Sequence, residues 1–189
     1  MRTRSGRHET KDSEDPNERV HHSDKRSERD QLAREERGHA RHFDNTQFCV
    51  GRYVYASFKT KNFHWHITGS HFRDYHLLLD EQADQIFAAT DAVAERVRKI
   101  GGTTIRSVAH IASLARLRDS NQDNVTPIEM LSDLHRDNER LTAYLREAHL
   151  VCTDYADVAS ASLLETLIDD SEKRTWFLVE TTREIDGAH

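Results

Sequence analysis

The sequence predicts an all-α protein, a four-helix bundle whose second and third long helices are joined by a long crossover that carries a short helix. Glycine and proline are scarce, with seven and two in 189 residues. From about residue 45 onward, apolar residues recur at the i, i+3, i+4 spacing of an amphipathic helix. Residues 103–125 separate two of these periodic segments, and a connection of that length can cross the end of a bundle.

The first 43 residues differ in kind from the rest. They contain 11 Lys and Arg, 10 Asp and Glu and five His, with almost no large apolar side chains. Such a segment cannot bury enough apolar area to offset the entropy lost on ordering. We therefore predict a charged, mostly disordered tail at 1–43 and a bundle domain at 44–189.

The first two long helices are predicted on either side of a glycine turn. The first runs from about Asn45 to His66, and Gly69 is a plausible stop. The second runs from Ser70 to Ile100, about 45 Å, and ends at Gly101-Gly102. The apolar stripe of the first contains Phe48, Val54, Tyr55, Phe58 and Phe63 or Trp65. The inward face of the second is predicted to contain Phe72, Leu78, Leu79, Ile86, Val93, Val97 and Ile100.

The second half of the chain predicts two more long helices after the crossover. The crossover includes VAHIASLARL, an amphipathic piece expected to form its own short helix. Thr126-Pro127-Ile128-Glu129 is a capping box that starts the third helix, which runs to about Cys152. Asp154 or Asp157 caps the fourth, which runs to about Glu184. Four long helices with one long crossover follow the ferritin-like connection pattern.

Charge, cysteine content and hydropathy limit the classes of function. The formal net charge of -6 argues against general nucleic-acid affinity for the body, although a local basic tail could still bind. The two cysteines, Cys49 and Cys152, have no paired spacing and are interpreted as buried free thiols. No apolar run of about 18 residues occurs, so we expect a soluble cytoplasmic protein without a membrane partner.

The second predicted helix contains metal-ligand residue types near both of its ends. His76 and Asp80 are four residues apart and share one face, as do Asp91 and Glu95. His76 and Asp91 are fifteen residues apart, about 22 Å along a helix. Because a metal–ligand bond is about 2 Å long, one helix cannot bring both pairs to one ion.

Two antiparallel copies of this helix, related by a two-fold axis, can bring the pairs together. His64, on the first helix, can reach the first pair if the two helices pack antiparallel around the Gly69 turn. The predicted centre is therefore His64, His76 and Asp80 of one subunit with the partner subunit's Asp91 and Glu95, and each dimer contains two such centres.

Other interpretations of these residues remain open. The histidines taken alone could be capping or surface residues, and the three acids could form a solvated helix face. Asp91 has apolar sequence neighbours, and buried carboxylates need a partner or a metal. A carboxylate site within each subunit would carry Glu-x-x-His on two helices. The only two Glu-x-x-His sequences, Glu18/His21 and Glu36/His39, lie in the tail. The predicted helices therefore lack the pattern of a metal site within one subunit.

The stretch HWHITGSHFRDYHLLLDEQADQIFAATDAVAERVRKIGG closely resembles the central signature of Dps proteins, the DNA-protection-during-starvation branch of the ferritin-like superfamily. The resemblance is sharp over residues 59–102 and continues, more weakly, to the Trp176-Phe177 pair. In that family the pattern H-W…H-x-x-x-D…D-x-x-x-E is the inter-subunit ferroxidase centre. The resemblance carries over, position by position, to His64, His76, Asp80, Asp91 and Glu95. Trp65 matches the tryptophan beside the centre, where an indole could intercept oxidising equivalents; a core aromatic is the alternative.

The resemblance implies a function and an assembly. It implies a hollow dodecamer built from two-fold dimers that oxidises Fe(II), preferably with hydrogen peroxide and more slowly with O2. The iron would occupy di-iron or mono-iron ferroxidase centres and a stored ferric mineral core, and DNA would be protected from oxidative damage. Two alternative functions remain open. The first is a shell that mainly binds and compacts DNA, and the second is a structural shell whose site holds zinc or nothing.

Two departures from the family pattern bear on iron entry and DNA binding. Ser162 stands where members often have an acid lining the three-fold pore, and the nearby acids are Asp154, Asp157 and Glu165. DNA-binding members commonly use a lysine-rich tail, whereas this tail is balanced in sign after its start. Direct DNA binding, and with it association with the nucleoid, therefore rests on the basic residues Arg2, Arg4, Arg7 and Lys11.

Overall fold

A computed structural model describes residues 49–115 and 120–186 of the chain. Every regular element in these ranges is a helix: α1 at 49–66, α2 at Phe72–Lys99, α3 at Val108–Ala115, α4 at Pro127–Asp154 and α5 at Val158–Asp186. The all-α class and the crossover with its short helix are thus confirmed. The predicted tail at 1–43, both Glu-x-x-His matches and Phe48 lie outside the described residues. Within the described ranges, no helix has the length and apolar character needed to cross a bilayer.

The helix ends follow local sequence signals. At the start of α4, Thr126 Oγ1 accepts a hydrogen bond from the Glu129 amide, and the Glu129 carboxylate accepts one from the Thr126 amide. At α5 the cap is Asp157, whose carboxylate accepts from the Ser160 amide at 3.0 Å. Both predicted caps therefore form, because each satisfies backbone donors that a helix start leaves unpaired.

Two glycines end the first two helices in the left-handed conformation. Gly69 has φ of 103° and Gly101 has φ of 90°, a region that costs glycine little. At the end of α2, the Gly102 amide donates to the Val97 carbonyl at 2.9 Å, a pairing that closes the last turn. The Gly69 turn returns the chain so that the ends of α1 and α2 that face this turn lie side by side.

The apolar core consists of two clusters stacked along the bundle. Each cluster takes side chains from α1, α2, α4 and α5. The first contains Cys49, Val50, Tyr53, Ala56, Ile86, Val93, Val97, Leu141, Leu145, Ala148, Cys152, Leu164 and Leu167. The second contains Phe63, Ile67, Tyr75, Leu79, Met130, Leu131, Leu134 and Leu178.

A layer of buried polar side chains separates the two clusters. Lys59 Nζ donates to Asp137 Oδ2 at 2.6 Å, and Arg174 Nε donates to Asn138 Oδ1 at 3.0 Å. All four side chains belong to residues that are at most 6% exposed. Buried charges are tolerated only with a close partner, so this layer fixes which faces of α1, α4 and α5 meet at the middle of the bundle.

Several apolar residues of the sequence stripes are exposed rather than buried. Phe72, predicted to face inward, is 44% exposed. Of the alternatives Phe63 and Trp65, the structure buries Phe63 and leaves Trp65 59% exposed, so the core interpretation of Trp65 is wrong for the single chain. Helical spacing identifies an apolar stripe but does not say whether its own chain covers it. Phe58 of the first stripe is also exposed, as are Trp176 and Phe177 on α5.

We predict that removing Asp137 from the buried Lys59–Asp137 pair lowers the free energy of unfolding by about 3 kcal/mol, since the buried Lys59 ammonium loses its closest carboxylate and keeps Asp133 Oδ2 at 3.8 Å. The test is Asp137→Ala, followed by urea denaturation at fixed protein concentration. The control is Glu139→Ala, an exposed neighbour on α4, which should change the same quantity by less than about 0.5 kcal/mol. Equal effects of the two substitutions would contradict a structural role for the layer.

We predict that Cys49 and Cys152 do not react with a thiol reagent in the native protein at pH 8. Both remain thiols, each is 1% exposed, and burial raises the pKa of Cys49 to about 12 and that of Cys152 to about 11. Only the thiolate is nucleophilic, and at pH 8 both groups lie far below their pKa. Colorimetric titration should detect both thiols only after denaturation; rapid native labelling would refute this burial.

Candidate metal centre

The antiparallel packing of α1 against α2 brings His64, His76 and Asp80 together. The two imidazole rings are stacked, with centroids 3.7 Å apart and planes inclined by 23°. His64 Nε2 lies 3.6 Å from Asp80 Oδ1. The structure thus places three of the five predicted ligands near one another, as the Gly69 turn implied.

Two reciprocal hydrogen bonds orient the histidines. His64 Nδ1 lies 2.8 Å from the His76 carbonyl oxygen, and His76 Nδ1 lies 2.9 Å from the His64 carbonyl oxygen. A carbonyl oxygen only accepts, so each Nδ1 carries the proton and donates it. In the neutral rings the lone pair is therefore on Nε2, the nitrogen left for a metal. Such a clamp on the second nitrogen is the usual support of a metal-binding histidine.

The spacing of these atoms fits a divalent first-row metal ion. Bonds of about 2.1 Å to an imidazole nitrogen and to a carboxylate oxygen would span about 4.2 Å if collinear. The 3.6 Å gap between His64 Nε2 and Asp80 Oδ1 is shorter than this, so one ion can bond to both atoms at an open angle. Imidazole with carboxylate is a donor set suited to Fe(II).

A lysine that sequence reasoning did not assign to the site contacts this group. Lys61 Nζ forms an ion pair with Asp80 Oδ1 and lies 3.2 Å from Asp84 Oδ1. The hydrogen bond from Lys61 lowers the pKa of Asp80, and the same bond raises the pKa of Lys61. Asp80 is therefore an ionised carboxylate at neutral pH. One sequence signal could have pointed to Lys61: it precedes His64 by three residues and shares its helix face.

The other two predicted ligands, Asp91 and Glu95, lie farther along α2. Asp91 is fifteen residues from His76, about 22 Å on a straight helix. Glu95 forms an ion pair with Lys99 at 2.8 Å, and this contact lowers the pKa of Glu95. Within residues 49–115 and 120–186 of one chain, no three histidine, cysteine or carboxylate side chains, His64, His76 and Asp80 included, are arranged to hold a metal ion by themselves. One chain therefore does not bring the two halves together.

The apolar setting expected around Asp91 is not found in the single chain. Asp91 is exposed, as are its neighbours Ala88 and Ala92, while Val93 turns into the core. The sequence neighbours of a helical residue lie on several faces, so an apolar neighbourhood along the chain does not imply burial.

The three predicted carboxylate ligands of α2, Asp80, Asp91 and Glu95, belong to one outward stripe. Its members recur at intervals of three or four residues, which places them on one helix face. Phe87, within the stripe, is 64% exposed, and Phe58 on α1 is equally exposed. Trp65 lies edge-on to Phe58, with ring centroids 6.4 Å apart. The stripe on α2 consists of Leu77, Asp80, Asp84, Phe87, Asp91 and Glu95.

The acids considered near the start of α5 have different surroundings. Asp157 stabilises the fold, because it caps α5 and forms an ion pair with Arg96 of α2. Glu165 Oε1 lies 3.1 Å from His149 Nε2 and is exposed. Of the alternatives to Ser162, Asp157 thus has a structural role, and Glu165 and Asp154 remain on the surface.

Four long helices joined by one long crossover form the ferritin-like arrangement. A profile described as the ferritin-like domain matches residues 50–188. An uncharacterized low temperature-induced protein of Nostoc sp. is 34% identical over 122 residues, which are 64% of this chain and 68% of that protein.

Comparison with two proteins whose names describe a role identifies the family within the ferritin-like proteins. The DNA protection during starvation protein of Brevibacillus brevis is 30% identical over 129 residues, 68% of this chain and 86% of that protein. The X-ray structure of Dps from Thermosynechococcus elongatus superposes with a TM-score of 0.73 at 25% identity, covering 75% of this chain and 90% of that one. The chain belongs to the Dps family of ferritin-like proteins, which confirms the family that the sequence resembles.

Proposed function

We propose that this protein oxidises Fe(II) at centres shared between two subunits and stores the ferric product inside a hollow dodecamer, thereby protecting DNA. Hydrogen peroxide is the preferred oxidant and O2 a slower one. One observation carries the proposal: the clamped His64–His76 pair lies beside Asp80, and Asp80 shares one exposed face of α2 with Asp91 and Glu95. Membership of the ferritin-like family supports iron as the substrate.

Two-fold pairing of α2 is the arrangement that supplies a complete ligand set. In an antiparallel pair, the His76 and Asp80 end of one helix lies beside the partner subunit's Asp91 and Glu95. The exposed Phe58–Trp65 pair on α1 supports this pairing, because large apolar residues grouped on a surface favour contact with another protein surface.

The residues have distinct roles in the proposed reaction. The two Nε2 lone pairs and the Asp80 carboxylate bind Fe(II), and the ionised carboxylates also favour Fe(III) once it forms. The Nδ1 hydrogen bonds keep the imidazoles in place during the change of charge. Two Fe(II) ions each give one electron to one hydrogen peroxide, which takes up two protons and leaves as two waters. Two-electron reduction releases no hydroxyl radical, and this is the protective step.

We predict that His64→Ala or Asp91→Ala lowers the rate of peroxide-driven Fe(II) oxidation by at least about tenfold, since each removes a direct ligand. Anaerobic Fe(II) loading of the assembled protein, followed by peroxide and stopped-flow absorbance of Fe(III), measures the rate. The matched control is His66→Ala, whose exposed ring bonds its own helix at the Asn62 carbonyl and lies outside the predicted ligand set. This control should retain the wild-type rate.

Two results would count against the proposal. Equal rates in the His64 and His66 variants would remove the histidine pair from the reaction. Loss of iron oxidation with full protection of DNA from peroxide cleavage would favour a DNA-compacting shell as the main function. A native mass measurement on each variant establishes that the assembly itself is intact before rates are compared.

A further inference from the structure

The imidazole ring of His76 contacts two other rings. His64 stacks on it with ring centroids 3.7 Å apart, and the phenyl ring of Phe72 lies 5.0 Å from it at an inclination of 31°. Phe72 is the first residue of α2 and precedes His76 by four residues, so the two side chains share one helix face. His76 therefore has a ring contact from each of two helices, with His64 on α1 and Phe72 on α2.

The hydrogen bond to His76 does not by itself fix the plane of its ring. His76 Nδ1 donates to the His64 carbonyl at 2.9 Å, and this bond restrains one atom of the imidazole. The terminal torsion of a histidine side chain is broad, so the ring can still rotate. Such a rotation would turn the Nε2 lone pair away from the metal position. Rings packed against the imidazole restrict this rotation.

Phe72 contributes little to the interior of its own subunit. It belongs to neither of the two core clusters and is 44% exposed, although the sequence pattern predicted that it faces inward. Its ring contact is with a proposed metal ligand, His76. The position of Phe72 is therefore better explained by the candidate centre than by burial in the core.

We propose that Phe72 is a positioning residue of the iron centre, whose ring holds the His76 imidazole in the orientation that directs Nε2 toward the metal ion. The inference rests on the function proposed above and deepens it. Phe72 binds no metal and transfers no electron or proton. Its effect is on metal affinity, because a ligand that is held in place beforehand loses less conformational freedom when the ion binds.

An exposed phenyl ring also suits a simpler role. Another subunit could cover Phe72, and the contact would then stabilise the assembly without any effect on His76. The two roles predict different measurements. Loss of an assembly contact changes the mass of the assembly, whereas loss of a positioning contact weakens metal binding in an assembly of unchanged mass.

The test compares Phe72→Leu, which removes the ring but stays apolar, with Phe72→Tyr, which keeps the ring. Each full-length assembly is titrated anaerobically with Co(II), a redox-inert probe under these conditions, by calorimetry and visible absorption. Binding that persists in a His64→Ala, Asp80→Ala variant belongs elsewhere on the chain and is subtracted. Phe72→Leu should raise the Kd about fivefold with the number of bound ions unchanged, and Phe72→Tyr should stay within about twofold of the wild type.

Peroxide-driven Fe(II) oxidation gives a second readout. In Phe72→Leu the Fe(II) concentration at half-maximal rate should rise in the same proportion as the Kd. The rate at saturating Fe(II) should stay within about twofold of the wild type, because every proposed ligand remains.

The matched control is Phe177→Leu on α5. Phe177 is 42% exposed, close to the value for Phe72, and its ring contacts Trp176 rather than a histidine. This control should leave both the Kd and the Fe(II) dependence of the rate unchanged.

Native mass is measured before binding, and Phe72→Met replaces Phe72→Leu if the leucine variant does not assemble. Failure of both to assemble, with Phe72→Tyr intact, would assign the ring to assembly and overturn the inference. A wild-type Kd in an assembled variant without the ring, or equal losses in Phe72→Leu and Phe177→Leu, would also overturn it while leaving the iron centre in place. Equal binding by the wild type and the His64→Ala, Asp80→Ala variant would overturn the centre itself, and the inference with it.

Discussion

The stiffness of α2 is the constraint on which the candidate centre depends. An α-helix rises about 1.5 Å per residue and does not fold back on itself, so His76 and Asp91 stay far apart in any one chain. The Gly69 turn adds His64 to the near end, where hydrogen bonds to backbone carbonyls orient both rings. The two histidines and Asp80 are thus held near one another within a subunit, and the proposed centre needs a second α2 of opposite direction to complete it.

The middle of the bundle serves a different purpose from its outer face. Ferritin-like bundles can hold metal between their own four helices, with carboxylates and Glu-x-x-His pairs facing inward. Here the corresponding layer contains Lys59 paired with Asp137 and Arg174 bonded to Asn138. The carboxylate is matched by a lysine and the remaining groups are cationic or amide. The interior layer thereby holds the helices in register, and the candidate chemistry lies on the exposed α1 and α2 face.

Lysine recurs in both places, with different exposure. Lys59 is 5% exposed and satisfies a buried carboxylate, so its charge is part of the fold. Lys61, two residues later, points toward the outward stripe and contacts carboxylates that water also reaches. Because successive residues of a helix point in different directions, one short segment of α1 supplies both a structural cation and a cation at the candidate centre.

Local sequence signals predicted the helices well, but they could not predict contacts between residues that are distant in the chain. The Thr126 to Glu129 box, Gly69 and Gly101 act within a few residues, so the ends of the long helices differ from the prediction by about two residues. The Lys59–Asp137 pair joins residues 78 apart in the chain, and no periodicity indicates it.

The candidate site was predictable in part, because some of its residues are positioned by local signals. Helical spacing placed His76 with Asp80, and the glycine turn placed His64. The exposure of Asp91 and of Trp65 was not predictable, because an apolar or mixed stripe has the same pattern whether its own chain or another subunit covers it.

Subunit complementation tests the shared centre most directly. A His64→Ala chain and an Asp91→Ala chain are each prepared alone and also co-assembled in equal amounts. If ligands come from both subunits of a dimer, half of the randomly paired dimers are mixed and each mixed dimer has one complete centre. Co-assembly should therefore restore about one quarter of wild-type Fe(II) oxidation, while either variant alone stays at least about tenfold below the wild type. Mixed assemblies no more active than their parents would contradict a centre built from two chains.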